Sequence, residues 1–233
     1  MITAVLFALI PNQWQRSRGK VSANALASTA WGSVIKDTYA ESGYPTVPPG
    51  NQSLIYLGYD SSAYPKLKTR IYIQFNLPGL PSNAIIDSAR IDMRMSVNTG
   101  KNSFQAVAYQ VTSDWTEYGV TWNVQPTIGG AVGSTTYTYS FSYQSMDITS
   151  LVRGWYSGST ANYGVSIWAN PETVSGAAFY SKEGNNGLTP PQLVIEYHEE
   201  TPKNNPPIAY DLDITTIEDI PVDIKLQAVD ADG

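Results

Sequence analysis

Alternation of apolar and polar residues is the main pattern of this chain, and two segments show it most clearly. Residues 70–75 read Arg-Ile-Tyr-Ile-Gln-Phe, and residues 89–95 read Ala-Arg-Ile-Asp-Met-Arg-Met. Side chains of a β-strand point alternately to its two faces, so each segment is predicted to have one buried and one exposed face. The predicted buried residues are Ile71, Ile73, Phe75, Ile91, Met93 and Met95. The predicted exposed residues are Arg70, Tyr72, Gln74, Arg90, Asp92 and Arg94.

Short strands continue along most of the chain and are separated by clusters of Gly, Pro, Asn and Ser, a pattern typical of antiparallel sandwiches. Further strands are predicted at 52–59, 104–111, 134–146, 163–169, 177–182 and 192–198. One segment has helical spacing instead. Asp147 is predicted to cap a short helix over 148–156, and Gly158 is predicted to stop the helix from continuing. The predicted fold class is therefore all-β, a jelly-roll-like antiparallel β-sandwich with one short helix.

Composition narrows the range of functions. The chain has 233 residues, 42% of them hydrophobic, which suffices for a core. Its net charge of −6 argues against nucleic acid as a partner, because binding to phosphates requires clustered Lys and Arg. No run approaches the roughly 18–20 apolar residues that cross a bilayer, so membrane insertion is not expected. Sparse charge and sixteen tyrosines indicate a surface suited to sugars, which offer hydroxyls and flat C–H faces.

A series of short motifs runs through the central part of the chain in a fixed order. The motifs are Asp37-Thr38-Tyr39, Arg70 to Leu77, Ser88 to Arg94, Trp115-Thr116-Glu117, Val120-Thr121-Trp122-Asn123, Asp147 to Val152, Asn162 to Val165, Ser181-Lys182-Glu183-Gly184 and Pro190 to Tyr197. Together they resemble the DNRLRE-type domain of bacterial and archaeal surface and secreted proteins. The chain departs from that pattern at Ala40-Glu41-Ser42, where the family usually has an arginine, and at Asn76, where it usually has an aspartate.

The resemblance implies a β-sandwich, an extracellular or cell-surface location and, in some members, binding of uronic-acid polysaccharides such as alginate. The sandwich is expected to span 31–200. Residues 1–30 are expected to be a poorly structured segment or a remnant signal region. Residues 201–207 form a Pro-rich linker. Residues 208–233 resemble the truncated start of a cadherin-like or Ig-like tandem repeat, so further domains of a longer parent chain are expected.

Eight residues are candidates for contact with a carbohydrate. Trp168 and Tyr118 are candidate stacking rings, and arginine suits a carboxylate because its planar group donates two parallel hydrogen bonds. Trp115 and Trp122 are instead expected to be structural. The candidate carbohydrate-binding residues are Trp168, Tyr118, Tyr180, Lys182, Arg70, Tyr72, Arg90 and Arg94, and they are expected to share one outer face.

Catalysis has little support in the sequence. The only histidine, His198, lies beside Glu199 and Glu200, and no Gly-x-Ser-x-Gly motif occurs. A structural calcium ion is an open expectation, with Asp37, Asp60, Asp87 and Asp147 near predicted strand ends and Asp230 and Asp232 in the repeat. The favoured function is non-catalytic polysaccharide binding that anchors a larger protein. The alternatives are a structural or adhesive spacer without a ligand, and part of a polysaccharide-degrading enzyme.

Overall fold

A computed structural model describes residues 27–60, 66–98, 103–174, 176–200, 204–225 and 227–231. The expectations for residues 1–26, for 201–203 and for Asp232 lie outside these described residues. The chain divides into two units, of which residues 26–199 form the larger. In the described part of the chain, no helix is long and apolar enough to cross a membrane.

Strands make up most of the larger unit, which confirms the predicted all-β class. The strands are β1 (Ser28–Glu41), β2 (Leu54–Asp60), β3 (Leu67–Phe75), β4 (Ala84–Asn98), β5 (Phe104–Val111), β6 (Ile128–Tyr137), β7 (Tyr143–Asp147), β8 (Val165–Asn170), β9 (Ala177–Tyr180) and β10 (Gln192–Glu199). A single α-helix, α1 (Thr149–Tyr156), joins β7 to β8. The segment 134–146, predicted as one strand, is instead the end of β6, a turn and β7. The Gln144 side chain stabilises this turn by accepting the Thr138 N–H and donating to the Ser140 carbonyl.

Two antiparallel sheets form the sandwich, and the long strand β1 contributes to both. The front sheet has the order β1–β10–β4–β7, using the first half of β1, Ser28 to Ser33. The back sheet has the order β1–β3–β8–β5–β6, using the second half of β1, Val34 to Glu41. Strands β2 and β9 connect the sheets, because β2 pairs with β3 and β9, and β9 pairs with β4. The pairings β1–β10–β4–β9–β2–β3 thus close on β1.

The core lies between the two sheets and contains the residues that alternation placed there. All six predicted buried residues of β3 and β4 are 0–1% exposed. Helix α1 adds Leu151, Val152 and Trp155 to this core. Its N-cap is Ile148 rather than Asp147, but the Asp147 carboxylate accepts the Thr149 N–H at 3.1 Å, so the predicted capping partner serves the first turn. Gly158, with a φ of 71°, follows the helix.

The smaller unit contains one two-stranded ladder in its described residues. Strand β11 (Ile208–Ala209) pairs with β12 (Ala228–Val229), and all four residues are exposed. Its relation to a cadherin-like or Ig-like repeat stays a prediction.

Candidate functional site

The outer face of the front sheet is set by strand register. Side chains directly opposite each other on paired strands share a face. One row across the sheet is Trp31 on β1, Val194 on β10, Arg90 on β4 and Asp147 on β7. The next row is Ser33, Gln192, Asp92 and Ser145. Thr29, Glu196 and Ser88 flank these rows on one side, and Arg94 and Tyr143 on the other. We call these thirteen residues the front face.

Trp31 is the most prominent side chain of the front face, with 63% of its surface exposed. Val194 points the same way but is only 3% exposed, because its neighbours in the row are the large side chains of Trp31 and Arg90. Trp31 therefore lies next to the apolar side chain of Val194 in the row, and most of its own surface is exposed to solvent. An exposed aromatic ring of this kind is suited to stack on a flat apolar ligand surface.

Three charged groups of the front face, Arg90, Asp92 and Glu196, are paired with each other. Arg90 donates to Glu196 at 2.8 Å and to Asp92 at 3.3 Å. The hydrogen bond from Arg90, joined by one from Ser88, lowers the pKa of Glu196. Asp92 also accepts a hydrogen bond from Ser145. These contacts leave further lone pairs on both carboxylates for hydroxyl donors.

A groove of about 600 Å³ adjoins the front face. It is lined by Trp31, Gly32, Ser33, Val34, Lys182, Pro190, Pro191 and Gln192. Three of these residues, Trp31, Ser33 and Gln192, also belong to the front face, so the groove and the face form one continuous surface.

One part of the outer face of the back sheet is covered. The β5–β6 connection, residues 112–127, lies over it and is called the covering loop. Trp115 of this loop is 6% exposed, lies edge-on to Tyr72 with ring centroids 6.1 Å apart, and donates its indole N–H to the Tyr163 carbonyl. Val120 of the loop is also buried, in a second apolar cluster with Ala40, Tyr72 and Val111. This cluster confirms the structural role expected for Trp115.

Tyr72 and Gln74, predicted to be exposed, are buried at 0% and 9% exposure. The strand phase was right, since both point away from the core between the sheets, but the covering loop lies over Tyr72 and the connection between α1 and β8 contacts Gln74. The Tyr72 hydroxyl donates to Gln125 of the loop at 2.6 Å, and the Gln74 amide donates to the Asn162 carbonyl. The expectation that Tyr72 contacts a carbohydrate is therefore wrong.

Arg70 and Trp168 lie together at the rim of the covered face. The Arg70 guanidinium is 3.7 Å from the Trp168 ring centroid and 4.8 Å from that of Trp122. It donates two hydrogen bonds to Glu172 and one to Gln125. Three of the five N–H donors of Arg70 are thus engaged within the chain. Trp168 donates its indole N–H to Ser166 and lines a second groove of about 410 Å³ with Tyr109 and Lys68 among others.

A cluster of ionic side chains links the covering loop to strand β1. The Lys182 ammonium contacts Glu117 of the loop and Glu183, and lies 3.6 Å from Asp37. The Glu117 carboxylate accepts the Asp37 backbone N–H, and the Asp37 carboxylate accepts the Lys182 backbone N–H. Three separate sequence motifs, those of Asp37, of Glu117 and of Lys182 with Glu183, meet here.

Burial sets the protonation behaviour of this cluster. It raises the pKa of Asp37 to about 7, against the opposing effects of the Lys182 amide and ammonium. Burial alone would lower the pKa of Lys182, but its hydrogen bonds to Glu117 and Glu183 raise that pKa to about 12. The three carboxylates stand close enough to hold a metal ion, with ligand atoms within 4.8 Å of one another. The Lys182 ammonium already provides a positive charge among them, so calcium would have to displace it.

The eight candidate residues do not share one face. Arg90 and Arg94 belong to the front face, whereas Arg70, Tyr72 and Trp168 belong to the back sheet. Strands β3 and β4 stand opposite each other in the closed series of pairings, which separates the two groups. Tyr118 is 63% exposed on the covering loop. Tyr180 ends β9 half-buried, and Lys182 lies in the ionic cluster.

Trp31 is the residue that the sequence analysis did not select. The predicted boundary between the N-terminal segment and the sandwich lies directly before Trp31, whereas β1 begins at Ser28. The register that puts Trp31 in one row with Arg90 runs through Val194 of β10, more than 150 residues later in the chain than Trp31, and strand alternation alone does not contain it.

Two comparisons with known proteins add to this geometry. A family model described as carbohydrate-binding module family 96 matches residues 29–197. No curated protein matches the sequence. The matched range runs from the start of β1 into β10, so it includes the front face, the covering loop and the ionic cluster.

Proposed function

The chain belongs to carbohydrate-binding module family 96, and from this premise we propose that its sandwich binds a polysaccharide, without catalysis, on the front face. The observation that carries the proposal is Trp31, a tryptophan 63% exposed on a regular strand beside a groove of about 600 Å³. The strand that carries this indole is already ordered, so a ligand that stacks on it does not have to order the backbone.

The groups around Trp31 match the two kinds of surface that a pyranose ring presents. The C–H face of the sugar can pack on the indole, and its hydroxyls can donate to Asp92 and Glu196 or exchange hydrogen bonds with Gln192 and Ser33. These polar groups all stand on paired strands, so their spacing is fixed before the ligand arrives. A preformed site of this kind orients a ligand without needing a loop to close.

The back sheet offers less to a ligand. Residues 112–127 cover part of its outer face, and beside that part the Trp168 ring already has Arg70 at 3.7 Å. Tyr109 stands beside the same ring, with centroids 4.5 Å apart. The Trp168 ring is thus largely committed to partners within the chain, whereas Trp31 is not.

A module of this kind serves to hold a longer secreted or cell-surface protein on glycan. The Asn204 to Pro207 segment supports this role, because two consecutive prolines make a stiff extended spacer after the sandwich. A shallow face gives weak binding to a single oligosaccharide, and repeated contacts along one polymer raise the overall affinity.

Affinity electrophoresis of the full chain through gels that contain polysaccharides tests the proposal. The panel includes β-glucans, mannan, xylan, pectin and alginate. We expect the wild type to be retarded by at least one polymer and Trp31→Ala to lose about tenfold or more in affinity, equal to roughly 1.4 kcal/mol. Trp168→Ala is the matched control, since it removes a tryptophan from the other sheet, and it should keep its retardation.

Two results would contradict the proposal. If Trp168→Ala loses retardation while Trp31→Ala keeps it, the site lies on the back sheet rim. If a chain shown to be folded by circular dichroism is retarded by no polymer, the spacer function without a ligand is the better interpretation.

A further inference from the structure

A cavity of about 310 Å³ opens where β1 ends, and it shares no lining residue with the front face or its groove. Glu41, the last residue of β1, stands opposite Thr69 on β3, and Thr69 stands opposite Gly58 on β2. Thr69 is two residues from the buried Ile71 and so lies on the same side of β3. The cavity is therefore at an end of the core between the sheets.

Two tyrosine rings form one wall of this cavity. Tyr39 and Tyr56 meet edge-on, with ring centroids 5.2 Å apart. Tyr39 is 9% exposed and Tyr56 is 41% exposed, so the first ring lies at the margin of the core and the second borders the opening. Leu57 and Leu67 add apolar surface. A ligand with a flat apolar face can pack against tyrosine here.

The charged groups of the cavity are carboxylates. Of the described residues that line it, Glu41 and Asp60 are acidic and none is Lys, Arg or His. Glu41 is half-buried, and no described residue donates a hydrogen bond to its carboxylate. Burial raises the pKa of Glu41, and no described cation opposes the rise. The cavity thus presents a carboxylate that lacks a counter-ion.

The Tyr39 hydroxyl is a second group that a ligand could engage. Tyr39 is more than nine-tenths buried, yet its hydroxyl forms no hydrogen bond with a described residue. Burial raises the pKa of Tyr39 to about 12, and the Glu41 carboxylate and Tyr56 add to the rise, which places the three polar groups near one another. Leaving a buried polar group unpaired costs stability, so a ligand that hydrogen-bonds to it is favoured.

We propose that this cavity binds one amino-sugar residue, with the ammonium group beside Glu41 and the sugar ring against Tyr56. The ammonium supplies the positive charge that the carboxylate lacks, and it can donate to the Tyr39 hydroxyl at the same time. Tyrosine rings also attract cations.

The size and shape of the cavity favour a ring over a thin alkylammonium chain. Its volume is at the lower end of the range of about 300–1,000 Å³ that is usual for small-ligand pockets. A lysine side chain would satisfy the charge of Glu41 but would leave the Thr69 hydroxyl without a ligand hydroxyl to bond. The site is separate from the front face, so the inference goes beyond the proposed function.

Three β-1,4-linked trisaccharides that differ only at C2 test the proposal. The trimers of glucosamine, N-acetylglucosamine and glucose carry an ammonium, an acetamido and a hydroxyl group there. Titration calorimetry is run at about physiological ionic strength, which screens distant charges. We expect the glucosamine trimer to bind and the other two to bind about tenfold or more weakly. Failure of the glucosamine trimer to bind, or equal affinity for all three, would overturn the proposal.

Substitutions in the cavity locate the site. Glu41→Gln should weaken binding of the glucosamine trimer about tenfold, and Tyr39→Phe should weaken it severalfold, because the hydroxyl is lost while the ring stays. Glu199→Gln is the matched control, since it makes the same charge change at the exposed end of β10, and it should leave the affinity unchanged. Equal losses in Glu41→Gln and Glu199→Gln would mean that the overall charge of the chain attracts the ligand, and would overturn the site.

Two further results separate this inference from its neighbours. Loss of trimer binding in Trp31→Ala, with binding kept in Glu41→Gln, would place the amine on the front face, overturning this inference and leaving the proposed function intact. Binding that depends on Glu41, in a chain that no polysaccharide gel retards, would support this inference while the proposed function fails. Nα-acetyl-lysine amide bound as tightly as the glucosamine trimer would overturn the assignment to an amino sugar.

Discussion

The two outer faces of this sandwich come from strands with similar alternation, but their outward aromatic side chains differ in exposure to solvent. On the back sheet, Tyr72 and Ser166 point outward and are fully buried, because the covering loop lies above them. On the front sheet, Trp31 points outward and is 63% exposed. An outward tyrosine has thus become part of a core, while an outward tryptophan has been left in solvent.

The difference separates two roles that a sequence pattern does not distinguish. Tyr72 on the back face contributes to stability, since the covering loop holds it by packing of Trp115 and a hydrogen bond to Gln125. Aromatic surface on the front face contributes little to stability and is available to a ligand. The exposed ring of Trp31 is informative because it lies on a well-ordered sheet, beside a groove of about 600 Å³ and in register with hydrogen-bonding side chains.

Trp115→Ala is expected to produce the largest effect. Truncating this buried ring removes its packing on Tyr72 and its hydrogen bond to Tyr163, at a cost of about 3–5 kcal/mol. At roughly 2–4 °C per kcal/mol for a domain of this size, Tm should fall by about 10 °C. Thermal unfolding followed by circular dichroism measures it.

Trp31→Ala is the matched comparison, and its Tm should stay within about 2 °C of the wild type. Equal losses of Tm in Trp115→Ala and Trp31→Ala would break the distinction between a structural and a ligand-facing aromatic.

The pH dependence of stability should come next in size. The pKa of Asp37 is raised to about 7 in the folded chain, and an unfolded aspartate has a pKa of about 3.9. The folded state therefore holds a proton that the unfolded state releases, so stability falls as pH rises from about 4 to about 7. We expect this one group to lower Tm by about 8 °C across that range.

Asp37→Asn should remove this contribution, and the difference between variant and wild type isolates it from other groups. Asp114→Asn is the control, because Lys36 lowers the pKa of the exposed Asp114. That carboxylate contributes in the opposite direction, with stability lost as pH falls. A wild type and an Asp37→Asn variant with identical pH profiles would show that Asp37 is not buried as described.

Lys182→Met tests how the covering loop is fastened. It leaves Asp37, Glu117 and Glu183 without the ammonium that lies among them. Removing one partner of a buried ion pair costs about 3–5 kcal/mol, and because the Lys182 side chain is 23% exposed we expect about 2 kcal/mol. Millimolar calcium should restore part of the lost Tm in this variant, since three carboxylates suit that ion.

The wild type should show no comparable rise in Tm with calcium. A larger rise in the wild type than in Lys182→Met would mean that a metal ion, and not Lys182, normally holds these carboxylates.

Tyr72→Phe should have the smallest effect on the covered face. It removes the hydroxyl that donates to Gln125, at a cost of about 1 kcal/mol. The loss is limited because Gln125 still accepts from Arg70 at 3.1 Å. Urea unfolding resolves a change of this size, and Tyr118→Phe, at an exposed position of the covering loop, should leave the midpoint unchanged.

Local patterns were sufficient to predict most of the fold. Alternation gave the buried residues of β3 and β4 because one side of each strand faces the core whatever the other side does. Spacing of Leu151, Val152 and Trp155 gave the helix for the same reason. The turn inside 134–146 was missed because it is closed by the Gln144 side chain, and not by glycine or proline.

The candidate site was harder to predict because it depends on contacts between distant segments. Burial of Tyr72 is decided by a loop some forty residues later in the chain. The front face brings Trp31, Arg90 and Val194 together through strand register. The motifs of Asp37, Glu117 and Lys182 could each be seen in the sequence, but their meeting around one ammonium could not.

The pairing of the first and last strands of the sandwich has a mechanical consequence. Ser28 of β1 stands opposite Tyr197 of β10, and the strands run antiparallel. The chain therefore enters and leaves the sandwich at neighbouring points. The folded sandwich accordingly adds little to the end-to-end distance of the polypeptide. A pull on the two flanking segments loads the β1–β10 ladder from one end, like a zipper, and opens its hydrogen bonds one after another. Because Trp31 is only three residues from that end, tension on the polypeptide would detach the strand that carries it early, and with it the glycan contact that we propose for this ring.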